Sequence, residues 1–392
     1  MRTVHIVGVG MNGSTVQAEE IVNSCDALLG APKQLDVFKN SGKPTYEGYS
    51  PEDVRRVFAE TGAVSVAVLV SGDVGFFSGA RRLVSELGEF DVRLTAGVPS
   101  VCDFFAKLKL PWQDAALISM HGMNGPLIST VRRNRQTFCL TGGNVSEVGR
   151  LLGSAGFGGL TVYVGENLGY PDEHIFKVKA SELDETQPMA VLLIINEDFD
   201  ASIPTGMPDT AFIRHEDVPM TKSDIRAAIM SKLRLRPDDI CYDIGAGTGS
   251  VTVEMALSAY NGRIFAVERK SDALMLAEQN CQKFHIGNVS FVSGYAPAAL
   301  DNLPAPDAVF VGGSSGNFAE ILDTVLSKNQ GARIVATAIA LETVHTALMA
   351  FEKAGLSNIE AVQIGVACVQ KRGGVHMLMA QNPIFVISGG GR

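Results

Sequence analysis

The 392-residue chain has no long apolar run, no close pair of cysteines and no excess of basic charge. Its longest uninterrupted apolar stretch, Met189 to Ile195, is far short of the ~18 residues that a membrane span requires, so the expectation is a protein with no membrane partner. The six cysteines stand at 25, 102, 139, 241, 281 and 368, and none forms a CxxC metal or redox motif. A chain of this size needs no disulfide staples, so free thiols in a reducing, cytoplasmic setting are expected. The opening Met1-Arg2-Thr3-Val4-His5-Ile6-Val7 reads as a strand rather than as a signal peptide. Thirty-three Lys+Arg face 42 Asp+Glu, for a formal charge of −9. The deficit falls on both halves, with 17 basic and 24 acidic residues in 1–200 and 16 and 18 in 201–392. Neither half is the basic domain of a nucleic-acid binder. The 46% of apolar residues excludes a disordered chain.

What the chain has in excess is glycine. Its 41 glycines are roughly 10% of the sequence against an average of about 7%. They show no Gly-X-Y period and gather in short clusters, as expected where a backbone turns tightly against a ligand. The length favours two domains. In the first half, strands are expected at Thr3–Val9, Ala27–Gly30, Ser65–Val70, Val92–Thr95, Ala116–Ser119, Thr137–Leu140, Thr161–Val164 and Ala190–Ile195. Amphipathic stretches such as Thr15–Asn23, Phe77–Leu87 and Val145–Leu152 lie between them, an alternation that implies α/β layers with largely parallel strands. Asn196–Asp209, acidic and carrying Pro204 and Pro208, is the best candidate for a linker, which sets domains of 1–200 and 201–392. A second α/β series follows, with strands at Ile240–Ile244, Arg263–Val267, Val289–Val292, Ala308–Val311 and Arg333–Thr337. Ile359–Cys368, Val375–Ala380 and Ile384–Ser388 leave no room for crossover helices and should pair antiparallel. A parallel sheet closed by an antiparallel hairpin is similar to the Rossmann-like class I methyltransferases.

Two glycine loops carry the chemistry. Asp243-Ile244-Gly245-Ala246-Gly247-Thr248-Gly249-Ser250 follows a strand and opens a helix, so its amides can face a ligand. Glu268 ends the next strand, where an acid can take both ribose hydroxyls. The G-x-G-x-G spacing points to S-adenosylmethionine rather than to a dinucleotide. The other loop, Gly8-Val9-Gly10-Met11-Asn12-Gly13, spells G-x-G-x-x-G, but its second strand ends in Gly30 and Ala31-Pro32-Lys33 without an acid. That excludes NAD and leaves either a ligand-binding or a purely structural turn. Ser71-Gly72-Asp73-Val74-Gly75-Phe76-Phe77 and Ala96-Gly97-Val98-Pro99-Ser100 also follow strands, and the three turns should meet at one sheet edge.

With Gly72-Asp73, Gly97-Val98-Pro99-Ser100, Leu110-Pro111-Trp112-Gln113-Asp114-Ala115, Ser119-Met120-His121-Gly122 and Glu166-Asn167-Leu168-Gly169, the first half resembles the tetrapyrrole methylase family. The second half resembles the decarboxylating partner enzyme of cobalamin synthesis. The resemblance rests on Gly206-Met207-Pro208-Asp209, Met220-Thr221-Lys222, Ser231-Lys232-Leu233-Arg234-Leu235, Asp243–Ser250 and Gly312-Gly313-Ser314. In this order they resemble the fused precorrin-6Y C5,15-methyltransferase (decarboxylating) family over nearly the whole chain. The family's Gly-Asp-Ala after the third strand reads Gly294-Tyr295-Ala296 here, Met11-Asn12 stand where its first loop has proline, and Val74 replaces the proline after Gly-Asp.

The resemblance implies a first domain built of two α/β subdomains and one S-adenosylmethionine per domain. It also implies methylation of C5 and C15 of a precorrin with loss of the C12 acetate carboxyl, a soluble homo-oligomer, and no metal. Its implied cofactor contacts are Gly8, Gly10, Gly72, Asp73, Phe76, Ser100, Thr141 and Gly142 in the first domain. In the second they are Thr221, Gly245, Ala246, Gly247, Thr248, Gly249, Glu268, Gly294 and Ala296. Since a sulfonium is already a strong electrophile, the protein's main task is positioning, and no triad is needed. His121 is the best-placed titratable candidate for catalysis, or else a hydrogen-bonded structural histidine. For the many carboxylates of a tetrapyrrole substrate, Arg214, Lys222 and Arg226 are the candidate grips, with Gly313 beside them. Arg132, Arg133 and Arg135 form a second basic cluster. Two other readings are a class I RNA methyltransferase with an N-terminal recognition module, opposed by the net charge, and a non-catalytic N-terminal tetrapyrrole carrier.

Overall fold

Strand β1 (Thr3–Val9) is flanked in parallel by β4 (Ser65–Ser71) and β5 (Asp91–Thr95), and β2 (Ala27–Gly30) and β3 (Thr45–Glu47) extend the sheet beyond β4 in the order β3-β2-β4-β1-β5. Successive side chains of a strand alternate between faces. Val4, Ile6, Val66 and Val68 therefore meet Val54, Phe58 and Leu83 on one side, while Val7, Leu28, Ala67 and Leu69 meet Ala18 and Val22 on the other. The computed structural model describes residues 2–10, 13–122, 126–184, 190–313 and 316–391. The chain divides into two units, one drawn from 1–125, 135–149 and 160–197 and the other from 126–134, 150–159 and 198–392. Among the described residues no helix is long and apolar enough to cross a membrane.

The first unit holds a second five-stranded sheet of β6 (Ala116–Ser119), β7 (Gln136–Leu140), β8 (Thr161–Glu166), β9 (His174–Lys179) and β10 (Ala190–Ile195), ordered β6-β7-β10-β8-β9. Only β6 and β7 run parallel; the other pairs are antiparallel. The first half is thus largely parallel, as expected, with the antiparallel pairs confined to this second sheet. The loop from β8 to β9 is too short for a crossover helix, and β10 enters between β7 and β8 against both. The expected helix at 77–87 starts only at Ala80, because the residues before it form the turn that follows β4.

The second unit is built on β11 (Ile240–Ile244), β12 (Arg263–Glu268), β13 (Val289–Ser293), β14 (Ala308–Val311), β15 (Arg333–Ala338), β16 (Glu360–Ile364), β17 (Ala367–Arg372), β18 (Val375–Ala380) and β19 (Ile384–Gly390). Seven of them form the sheet β13-β12-β11-β14-β15-β19-β16, parallel except for β19, which runs against both neighbours. This is the Rossmann-like arrangement with an antiparallel end. The expected strand at 359–368 splits after Ile364, and β17 leaves the sheet to pair with β18 in a separate two-stranded ribbon. Helices cover both faces: Phe318, Leu322 and Phe351 pack on Tyr242 and Val309, and Ile225, Ile229 and Met255 on Cys241 and Phe310.

Candidate functional site

At the end of β11 the chain turns through Gly245 and Gly247, both in the left-handed region (φ +79° and +55°), and enters the helix Ser250–Ser258. A Cβ on Gly245 would stand 2.9 Å from the Gly313 nitrogen, and one on Gly247 would stand 2.9 Å from the Pro219 oxygen. The turn therefore excludes any side chain at either position. The Gly245 and Ala246 amides donate to the Val267 carbonyl at 2.9 and 3.2 Å, which ties the loop to β12. At the tip of β12 the Glu268 carboxylate accepts from the Gly247 amide at 3.1 Å and from the Arg269 and Lys270 amides at 2.9 and 3.0 Å. These groups border a cavity of about 280 Å³ that is also lined by Pro219, Thr221, Lys270, Gly294, Tyr295, Ala296 and Gly313. That size lies at the low end of the roughly 300–1,000 Å³ of small-molecule pockets.

The segment 206–221 supplies one wall of this cavity and is held by a fully buried arginine. Arg226 Nε donates to Glu254 Oε1 at 2.8 Å and Nη1 to Asp209 Oδ1 at 3.0 Å, and further N–H groups reach the Thr221 and Met207 carbonyls. Glu254, equally buried, also accepts from the Gly206 and Met207 amides at 2.8 and 3.0 Å. Fully buried and with four of its five N–H groups bonded to protein, Arg226 cannot reach a substrate carboxylate. Its expected role as a substrate grip is corrected to that of a staple between segment 206–221 and the helix behind the glycine loop.

Directly before that loop, Asp243 is entirely buried. One carboxyl oxygen accepts from the Thr252 hydroxyl, and the other has no partner among the described residues. Loss of hydration, with the nearby Glu268 charge adding to it, pushes its carboxyl up to about 7. Sequence reasoning quoted Asp243 only as the start of a motif, and its burial follows from the sheet's centre rather than from any local signal.

In the first unit the three glycine turns do meet. A Cβ on Gly97 would stand 2.2 Å from the Gly72 oxygen and 2.7 Å from the Gly8 carbonyl carbon, so backbone touches backbone at the ends of β1, β4 and β5. Asp73 locks two of the turns by accepting from the Gly75 amide at 2.8 Å and the Gly97 amide at 3.2 Å. Gly10 lies against Val98, and Ser100 is buried at the start of the helix Ser100–Leu108. Phe76 packs 6.1 Å from Phe138 of β7, between centroids. At the ends of β6 and β7, His121 is exposed, with Nδ1 only 3.2 Å from where a Cβ on Gly142 would be. The Thr141 hydroxyl donates to the Ala190 carbonyl at 2.6 Å and is buried, so any ligand contact there falls to backbone.

Of the residues expected around the second domain's cofactor, Thr221, Gly245, Ala246, Gly247, Glu268, Gly294 and Ala296 line one cavity together with Gly313. Thr248 and Gly249 stand outside the lining. Thr248 is buried, and a Cβ on Gly249 would strike Ala277 at 2.7 Å, so that glycine serves helix packing. Arg214 is exposed on the 206–221 segment, and Lys222 stands 3.7 Å from Asp209. Neither lines the cavity. The second basic cluster is largely neutralised, because Arg132 pairs with Asp200 at 3.0 Å and Arg135 with Glu197 at 2.7 Å. Met11, Asn12 and Ser314 lie outside the described residues. Sequence reasoning missed Arg269, Lys270 and Tyr295 as lining residues. Their adjacency to Glu268 and Gly294 was the available signal.

Comparison with known proteins matches the chain to two families. Residues 3–184 match the family described as Tetrapyrrole (Corrin/Porphyrin) Methylases, and residues 211–388 match the Precorrin methyltransferase domain. A protein of Saccharolobus solfataricus named "Probable cobalt-precorrin-6B C(15)-methyltransferase (decarboxylating)" is 43% identical over 188 residues, 47% of this chain and 94% of the relative. The cobalt-precorrin-6B C(15)-methyltransferase (decarboxylating) of Salmonella typhimurium is 38% identical over 183 residues, 46% of this chain and 94% of the relative. The crystal structure of a precorrin-6y C5,15-methyltransferase from Geobacter metallireducens aligns at 37% identity over 47% of this chain and 97% of that one, with a TM-score of 0.45. The chain belongs to the precorrin methyltransferase family. Methyltransferases of this kind use S-adenosyl-L-methionine.

Proposed function

We propose that this chain methylates C5 and C15 of precorrin-6B (the precorrin-6Y route) and removes the C12 acetate carboxyl as carbon dioxide, giving precorrin-8 in cobalamin biosynthesis. Residues 1–200 are the C5-methylating domain, and 201–392 the C15-methylating, decarboxylating domain. The observation that carries the reading is the cradle at 245–247, where neither glycine can accept a side chain and Glu268, Thr221 and Gly313 border the same cavity. It stands beside a relative 43% identical over its near-complete length.

The residues present fit S-adenosylmethionine. In the second domain Gly245, Ala246 and Gly247 would offer backbone to its amino-acid end, Glu268 would take the ribose, and Gly294, Tyr295 and Ala296 would hold the adenine. Tyr295 brings a ring instead of a carboxylate to that last position, with the Arg269 guanidinium 5.9 Å from its centroid. In the first domain Gly8, Gly10, Gly72, Asp73, Phe76, Ser100, Gly142 and the backbone of Thr141 would hold a second molecule. When bound, the cofactor supplies a methyl group already activated on a cationic sulfur. The chain's own contribution is to orient the acceptor carbon and exclude water. Lys222 and Arg214 grip substrate carboxylates at the mouth of the second site, and His121 is the candidate titratable group of the first.

The protein works in the cytoplasm as a homo-oligomer. The β17–β18 ribbon supports the assembly, because Val369, Val375, Met377 and Leu378 are exposed on it and two strands alone are marginal in water. Mass spectrometry after incubation with precorrin-6B, or its cobalt complex, and S-adenosylmethionine tests the reaction. Gain of two methyl groups with loss of one carbon dioxide is expected, and an unchanged substrate mass in both incubations overturns it.

A further inference from the structure

The glycine loop follows the C-terminal ends of the parallel strands in the second unit. The N-terminal ends of the same strands border a different hollow. A cleft of about 670 Å³ is lined there by Arg234, Arg236, Lys328 and Arg333, with Asp239 and Asp307 among them. Both acids are engaged. Asp239 accepts from the Arg236 amide at 2.7 Å and pairs with the Arg333 guanidinium, and Asp307 accepts from the Ile240 amide at 2.9 Å. Lys328 Nζ donates to the Asp301 and Leu303 carbonyls at 2.8 and 2.7 Å, neutral partners that leave its charge uncompensated. Arg234 and Arg236 are exposed and make no ion pair among the described residues. Arg333 Nε is sealed from solvent and has no acceptor among the described residues. The cleft thus carries two more positive than negative groups, in a chain whose formal charge is −9. A second hollow of about 280 Å³ shares Gln330, Gly331 and Gly391 with it and is lined by the uncharged Leu326, Ala354 and Leu356.

Cations held together without counter-charge repel one another, and a concave wall focuses their field on whatever anion enters. Guanidinium groups grip carboxylates and phosphates with paired hydrogen bonds. We propose that this cleft binds a small polyanion bearing two or more phosphate or carboxylate groups, which Arg234 and Arg236 hold while an uncharged portion extends into the adjoining hollow. The site lies at the strand edge away from the methyl-donor cradle, so it is distinct from the reaction centre.

Calorimetric titration of the full chain at low salt with pyrophosphate, and separately with citrate, tests this. Saturable binding of at least one is expected, weakened about tenfold or more by Arg234→Gln with Arg236→Gln. S-adenosylmethionine binding by the same variant should be unchanged. Binding of pyrophosphate alone assigns phosphate chemistry, and binding of citrate alone assigns carboxylate chemistry. If the double variant loses its melting transition, Arg236→Gln alone serves the comparison, since no side-chain bond of Arg236 appears among the described residues. Absence of saturable binding by both anions, or binding by the folded variant equal to that of the native chain, overturns the proposal.

Discussion

Burying a guanidinium is unfavourable unless acceptors and counter-charge meet it, and Arg226 has four of its five N–H groups bonded to Glu254, Asp209 and two carbonyls. Removing one partner strands the other charge in the interior. Arg226→Met should therefore lose about 3–5 kcal/mol of stability, read from the urea midpoint, and Arg226→Met with Glu254→Leu should recover part of it. A single variant as stable as the native chain would show that the staple contributes nothing. Arg226→Lys keeps a charge but loses the fork, so segment 206–221 should loosen, and the KM for S-adenosylmethionine should rise more than kcat falls. Asp243 makes a second residue-scale prediction. Its carboxyl titrates at about 7 in the fold against an ordinary 3.8 in the unfolded chain, so between these values the folded state holds a proton that the unfolded state has released. Stability from this group is therefore complete at low pH and is lost as pH rises from about 4 to 7, flat beyond. Asp243→Asn removes the titration. Its melting temperature should fall behind the native protein's at pH 5, gain on it up to about pH 7 and hold level from there to pH 8. A constant difference across that range would contradict the assignment.

Among the elements, the strand-end turns were legible because a turn that admits no Cβ needs glycine, and that requirement is written locally. The junction of Gly8, Gly72 and Gly97 could be expected from three loops after three strands. What could not be read was that Asp73 is spent on locking two of them. Gly97→Ala should break the junction, since its methyl would stand 2.2 Å from a carbonyl oxygen with backbone on both sides. The expected result is loss of C5 methylation with C15 methylation retained, measured by product mass. Equal retention of both would mean that the turns are not a site. Strand direction in the second sheet was not legible, because it depends on where β10 inserts and not on the composition of β10 itself. Nor was the division of 359–368 between two sheets, although Gly365 marks the break. The ribbon that results exposes Val369 opposite Leu378 on one face. Val369→Lys with Leu378→Lys should shift the sedimentation mass to that of a single chain. An unchanged mass would move the assembly surface elsewhere.

At the scale of the whole molecule, the glycine excess resolves into two sets of turns in two units that share no sheet. Sequence placed both sets correctly at strand ends, but Thr248, Gly249 and Arg226 were assigned to ligands when packing claims them. Periodicity and spacing report the turn, whereas burial is decided by elements far along the chain. Two independent sets of turns predict two independent donor sites, and the complete chain allows a direct count. Calorimetric titration with S-adenosylmethionine should saturate at two equivalents per chain. Gly97→Ala should reduce this to one, and Gly245→Ala, which forces a methyl to 2.9 Å from the Gly313 nitrogen at a left-handed backbone position, should also leave one. Combining the two should abolish binding, because the effects of independent sites add. Ligand at 100 times Kd stabilises a binding unit by about 2.7 kcal/mol, so thermal unfolding offers a check that does not depend on heat of binding. The Gly97 variant should still gain stability from the ligand through the second unit, and the Gly245 variant through the first. If Gly245→Ala alone removes all binding, the first unit holds no donor, and its glycine turns serve the tetrapyrrole or the fold.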